Sequence, residues 1–263
     1  MNYNHEDLFQ NIRHHHFILA LHQLPQGVYL CLQRTYEEAV KLHQESNLND
    51  AVFHYQSAAL QCQYYPKDSL TYWWKAMCGQ GEVWRQKNFL DRAQTDFEAV
   101  LQFAVRQQLD TAEYIASRKL TLIALEQQHY DKAYSYAMHA WKTAAKAISE
   151  TMTDGQENER ILAGFAYALS NGQAVSDTVF GQMEKLAASP SLELRTTALK
   201  LLSLYEIQGS GKRSHLSQYI ENENEYWNRR FQSFTDASES EKKQLIAERD
   251  AIAAEQKIRY SYP

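Results

Sequence analysis

The chain has 263 residues, 44% of them hydrophobic, and a formal net charge of −5. That apolar content supports a packed core and excludes a disordered chain, and an acidic balance supplies no cationic surface for phosphates, which argues against nucleic-acid binding. Nine Gly and four Pro are too few for the turns of an all-β fold, whereas the frequent Ala, Leu, Gln, Glu and Lys favour helices.

The opening segment, Met1-Asn2-Tyr3-Asn4-His5-Glu6-Asp7, is polar and acidic and lacks the basic-then-apolar pattern of a secretory leader. Leu8, Ile12, Leu19 and Leu24 give residues 5–24 helical spacing, and Pro25-Gln26-Gly27 is expected to break the chain. From 28 to 45, Val28, Cys31, Leu32, Thr35, Ala39 and Leu42 step by three and four as on an amphipathic helix. Asn47-Leu48-Asn49-Asp50 then turns into a return helix over 50–64. A second hairpin starts with Ser69 or Asp68 as N-cap, runs to about Gln86 along Trp74, Met77, Cys78, Gly81 and Trp84, and returns over 91–108 with Asp91 as cap. A third opens on Asp110-Thr111-Ala112-Glu113, which fits a capping box, and returns from Asp131 through Ala133, Ala137, Ala140 and Ala144.

Thereafter the pattern weakens. Thr153-Asp154-Gly155 reads as a break, followed by an apolar helix through Ile161 and Phe165 that ends at Asn171-Gly172, a left-handed C-cap signal. Ser176-Asp177 starts the next helix, residues 191–208 form another, and a long polar helix carries Leu216, Tyr219, Tyr226 and Trp227. A polar link over 235–240 leads to a charged helix from about 239 to 258. No apolar run approaches the ~20 residues of a membrane span. Cys31, Cys62 and Cys78 are odd in number and lack C-x-x-C spacing. They read as free thiols, with Cys62 and Cys78 on apolar stripes, in a reducing compartment. The expectation is a soluble cytoplasmic protein.

Three segments align on one another: Ala51–Tyr55–Ala58, Ala93–Phe97–Val100 and Ala133–Ala137–Ala140. Their first members fall 42 and then 40 residues apart, and Ala39, Gly81 and Thr121 precede them by about twelve. A fixed period of this size marks stacked helical hairpins. Small residues at the crossings allow helix axes to approach within about 8–10 Å, and one large side chain fills the adjoining hole. The sets Cys78…Gly81…Trp84…Leu90…Ala93…Phe97…Val100, Thr35…Ala39…Leu42…Leu48…Ala51…Tyr55…Ala58 and Ser117…Thr121…Ala124…Tyr130…Ala133…Ala137…Ala140 resemble the tetratricopeptide repeat family in a long-repeat variant. A four-helix bundle shows similar patterning and stands as the alternative.

The resemblance implies an all-α superhelical array of antiparallel helix hairpins, an α-solenoid. Its expected parts are an N-terminal cap at 1–27, three hairpins over 28–150, degenerate hairpins over 151–234, and a polar C-terminal helix and tail at 235–263. It further implies a non-enzymatic adaptor whose first helices line a concave groove for a protein or peptide. Projected onto this chain, the groove shows Tyr36, Val40 and His43, then Lys75, Cys78, Glu82 and Arg85, then Ile115, Arg118 and Leu122, then Asn158, Ile161 and Phe165. Lys75, Arg85 and Arg118 would hold the carboxylates of an acidic or C-terminal peptide. The Lys/Asn clamp with which some members hold chaperone tails is replaced here by Tyr36 with Val40 and Cys78 with Glu82. Tyr64-Tyr65 and Tyr72-Trp73-Trp74 read as core between the first two hairpins, with a partner-anchoring patch as the alternative, for which Trp73, offset from the Trp74 stripe, is the candidate. A peptide-sensing regulator is the alternative function, an enzyme the second, and self-association is open.

No metal or cofactor is expected. His14-His15-His16 project 100° apart on a helix and do not converge on one ion. Gly209-Ser210-Gly211-Lys212 lacks the spacing and the preceding strand of a phosphate loop.

Overall fold

The computed structural model describes residues 25–62, 69–147, 153–209 and 214–233, together with 243, 246 and 247. The expected helices at 5–24 and 239–258, the link at 235–240, Tyr64-Tyr65 and the histidine cluster lie outside these residues, except for the three positions 243, 246 and 247. Ten helices are present among the described residues, with no strand: α1 Pro25–Gln44, α2 Leu48–Cys62, α3 Leu70–Gln86, α4 Leu90–Gln107, α5 Asp110–Glu126, α6 Tyr130–Ala147, α7 Thr153–Ser170, α8 Asp177–Ala187, α9 Leu192–Gly209 and α10 Leu216–Ser233. None is long and apolar enough to cross a membrane. Each packs against its successor, from α1·α2 through α9·α10, as in a helical repeat protein. The odd-numbered helices also touch one another in a row, α1·α3, α3·α5, α5·α7 and α7·α9, and no even-numbered pair does so to the same extent.

The period is written into the turns as well as the core. Ser46, Asn88, Gln128 and Gly172 all have φ between 60° and 63°, and they fall 42, 40 and 44 residues apart. In each case the next N–H reaches back to close the helix end: Asn47 to Leu42 O (2.9 Å), Phe89 to Trp84 O (2.9 Å), His129 to Ala124 O (2.8 Å) and Gln173 to Ala168 O (2.8 Å). These left-handed caps satisfy orphan carbonyls; the next helix starts two residues after the first three and five after Gly172. Only Gly172 adopts this conformation without a Cβ penalty; the other three positions hold it through the tight hairpin that follows.

Several local expectations differ. Pro25-Gln26-Gly27 forms the first turn of α1, where a missing proline N–H costs nothing. Thr153-Asp154-Gly155 likewise begins α7. The Asp110–Glu113 capping box does not form. Leu109 is the N-cap of α5 and makes no side-chain cap bond; Glu113 Oε1 instead lies 2.8 Å from His139 Nε2 on α6. Asp91 sits inside the first turn of α4, with Phe89 at the cap. Ser69 is the N-cap of α3 but donates to Cys62 O at 2.9 Å rather than accepting from its own helix. Ser176 caps α8 as read, accepting from Val179 N–H. Cys31, Cys62 and Cys78 are free; Cys31 is exposed, Cys62 buried and Cys78 half-buried.

The aligned small and large residues make the core. Ala39, Ala51, Ala58, Ala93, Phe97, Val100 and Ala133 are fully buried, and Tyr55, Ala137 and Ala140 nearly so. Phe97 sits against Gly81, where an added Cβ would come within 2.9 Å of the ring, and Tyr55 against Gly79, where it would come within 2.4 Å. Ordinarily Gly→Ala in a helix gains about 1 kcal/mol. At Gly79 the clash with a buried ring outweighs that gain, so Gly79→Ala should lower the melting temperature, with a cost of about 1–3 kcal/mol as for other overpacked sites. Gly181→Ala in α8, where a Cβ meets nothing within 4 Å, should raise it. Thermal unfolding of the two variants checks the pair.

Candidate functional site

The row of odd-numbered helices gathers charge. Arg85, near the end of α3, is buried and binds three carboxylates: Glu82 one turn earlier (2.8 Å), Glu126 at the end of α5 (2.7 Å) and Glu193 in the first turn of α9 (2.8 Å). Lys119 of α5 reaches the other oxygen of Glu82 at 2.8 Å. Arg118 makes a two-pronged contact to Glu159 of α7, Nε–Oε2 2.6 Å and Nη2–Oε1 2.7 Å. Three cations thus face four carboxylates across four helices, and the group is one negative charge in excess.

Burial and pairing oppose each other here. Burial raises the Glu82 carboxyl, but Arg85 and Lys119 together outweigh it and hold the group well below the usual carboxylate range. Burial also works against the Arg85 charge, and its three carboxylates more than compensate. At Glu159 desolvation prevails over the Arg118 pairing, and the carboxyl rests above its ordinary value. His43, half-buried and 3.4 Å from the Tyr55 hydroxyl, is pushed down by burial.

Beside the network lies a cavity of about 250 Å³ lined by Ile115, Arg118, Lys119, Leu122, Glu159, Ser191, Glu193 and Leu194. Its walls come from α5, α7 and the start of α9. It combines aliphatic side chains with charges of both signs, the mixture that orients a small polar ligand or one end of a peptide.

The projected residues divide. Arg118 and Leu122 line this cavity, and Glu82 and Arg85 form its charged border. Asn158 is half-buried on α7, next to Glu159. Tyr36 is half-buried in an aromatic group with Tyr55 and Tyr72, ring centroids 6.0 and 5.5 Å away. Lys75 is exposed, its ammonium 5.8 Å from the Trp74 ring, apart from the network. Two candidate partner positions are covered, Phe165 against its projection and Trp73 in line with the core reading of its aromatic cluster. Phe165 is fully buried in the core shared by α5–α9, because α8 and α9 close over α7; it presents no surface to a groove. Trp73 is half-buried against Phe103, centroids 4.4 Å apart, and packs on two core clusters, so it joins α3 to α4 instead of standing exposed. Arg85 is likewise engaged by internal carboxylates, not open to a peptide's. Lys119, Glu126, Glu159 and Glu193 were missed. The repeat period held a signal for two of them, since Arg85–Glu126 and Arg118–Glu159 are each 41 residues apart, one repeat step.

A second buried titratable group sits in the α3–α4 core. Asp96 is pushed up to about 7 by burial, against the opposing effects of Gln80 and Arg92, and its Oδ2 has no hydrogen-bond partner. Among the described residues no group of His, Cys, Asp and Glu could hold a metal ion. Comparison of the chain with protein-family models, with curated proteins and with solved structures returned no match.

Two outcomes follow. Arg85→Met leaves three carboxylates facing one another and should destabilise the fold by about 3–5 kcal/mol. The loss should shrink at acid pH, as thermal unfolding near pH 7.5 and near pH 4.5 would show. Asp96 has its folded value raised above 3.8, so its stabilising contribution is complete below that pH and disappears as pH rises through about 7. Asp96→Asn should therefore gain stability relative to the unaltered chain across that window, with a constant difference above it, measurable by urea denaturation at stepped pH.

Proposed function

We propose that the chain is a non-enzymatic scaffold that binds a protein or peptide on the face formed by its odd-numbered helices. In this reading the hairpins build a tetratricopeptide-like right-handed superhelix, and the row α1–α3–α5–α7–α9 is its concave side. The observation that carries the reading is the partition of the surface. The aligned Ala and aromatic positions are spent on the core, while the odd row carries the charged network and the cavity beside Leu122 and Lys119. Arrays of this kind recognise extended or helical segments along such a face. Recognition rests here on mixed chemistry, because two of the three cations that would grip an acidic tail, Arg85 and Arg118, already hold internal carboxylates.

The test is capture of partners from the native host by the tagged full-length chain, followed by titration of the captured protein against surface variants. Leu122→Asp on the odd row should weaken binding by about tenfold or more, as loss of a contact at the centre of an interface does. Phe53→Ser on α2 and Trp141→Ser on α6, both well exposed, should leave affinity unchanged. The reverse pattern would move the binding face to the even-numbered helices and overturn the proposal.

A further inference from the structure

The core cluster of the first hairpins contains a member from far along the chain. Its buried residues come from α1, α2 and α3, with one exception, Trp227 of α10, which is 7% exposed. Tyr226 packs beside it, and Tyr36, Val40, Tyr72 and Met77 are among the half-buried side chains of the same cluster. Tyr226 and Trp227 meet edge to face, centroids 6.0 Å apart. Helix α10 otherwise packs on α9, through a small cluster of Leu199, Leu216 and Tyr219 and through Arg195, which bonds Asn222 and lies 3.7 Å from Glu225. Its far end therefore reaches the apolar cluster of α1–α3 through an aromatic pair.

This contact differs from those that build the repeats. Consecutive helices of the hairpins pack on one another, whereas the residues by which α10 joins the apolar cluster of α1–α3 are, among the described residues, Tyr226 and Trp227. Tyr36 and Val40 are also positions that the repeat pattern assigns to the partner-binding face. The sequence around the pair, Glu221-Asn222-Glu223-Asn224-Glu225-Tyr226-Trp227, is acidic and polar apart from its two aromatic residues, the composition of a segment that docks by one anchor.

We infer that α10 is an internal ligand: it occupies the aromatic site of the first hairpins, and a partner binds there by displacing it with a helical segment carrying an aromatic anchor flanked by carboxylates. The inference rests on the scaffold reading above and adds the site, the ligand class and the regulation. A tethered segment acts at an effective concentration on the order of millimolar. While it is docked, the apparent affinity of any competitor falls in proportion to the open fraction.

The experiment uses the full chain and a fluorescein-labelled peptide of residues 216–233. The unaltered chain should bind it more weakly than the Trp227→Ala chain by about tenfold or more. A peptide carrying its own Trp227→Ala should fail to bind the opened variant. Equal binding by the two proteins, or none by the variant, overturns the internal-ligand assignment and leaves the scaffold reading to the capture experiment, which probes a different surface around Leu122. Hydrogen exchange on the unaltered chain gives an answer that does not require a variant to fold. The α10 amides should exchange through an opening that leaves α3–α6 protected; exchange of α10 only with global unfolding would make it an integral core helix and overturn the inference.

Discussion

Everything in this architecture depends on how closely a helix can approach its neighbour at one level of each hairpin. Tyr55 and Phe97 lie flat against Gly79 and Gly81, where no side chain intervenes, and Ala39, Ala51, Ala93 and Ala133 are fully buried at the neighbouring crossings. Interiors packed to crystal-like density leave no room for a methyl group at such points. The aligned positions recur every 40 to 42 residues, and the two close approaches meet on α3: Tyr55 of α2 against Gly79 between the first two hairpins, Phe97 of α4 against Gly81 within the second. The left-handed caps at Ser46, Asn88, Gln128 and Gly172 keep the connections in step.

Close approach on one side has a consequence on the other. The odd-numbered helices form a touching row, so their long polar side chains are brought together instead of being spread into solvent. Arg85 is the clearest result: one guanidinium joins α3, α5 and α9 through Glu82, Glu126 and Glu193. A planar fork with five donors is suited to such a junction in a way that an ammonium is not. The network ties together helices that also share apolar clusters, α3 with α5 and α5 with α7 and α9, and it leaves beside it a cavity whose walls are partly aliphatic. The face formed by these helices is held by internal charge pairing, with one carboxylate more than its cations.

Much of the framework could be read in advance. The hairpins, their period, the Ala and aromatic core positions and the Asn171-Gly172 cap depend on local patterns of size and backbone preference, which repeat visibly along the chain. The errors have equally physical origins. Asp91 and the Asp110–Glu113 box satisfy the local rule for caps, but the left-handed residues before them, Asn88 and Gln108 (φ 63° and 56°), set the helix starts first. Phe165 matches the groove position of its hairpin, yet α8 and α9 cover it, and covering by later helices is invisible to a pattern that repeats only locally. The helical offset of Trp73 from Trp74 left an anchoring role open, and Phe103 of α4 closes it by supplying a partner on that side.

The charges show the same division at longer range. Arg85–Glu126 and Arg118–Glu159 span one repeat, so a search for opposite charges one period apart would have found them. Glu193 lies 108 residues from Arg85, and Trp227 joins a cluster built from residues near the other end of the described chain. By itself, the sequence determined the helices, their pairing and the spacing of the core, because those follow from periodic side-chain size and from short-range backbone preferences. Only the tertiary structure decided which cations are already neutralised, which projected positions are covered and where α10 returns, because these depend on packing between helices far apart along the chain, which no local window of residues contains.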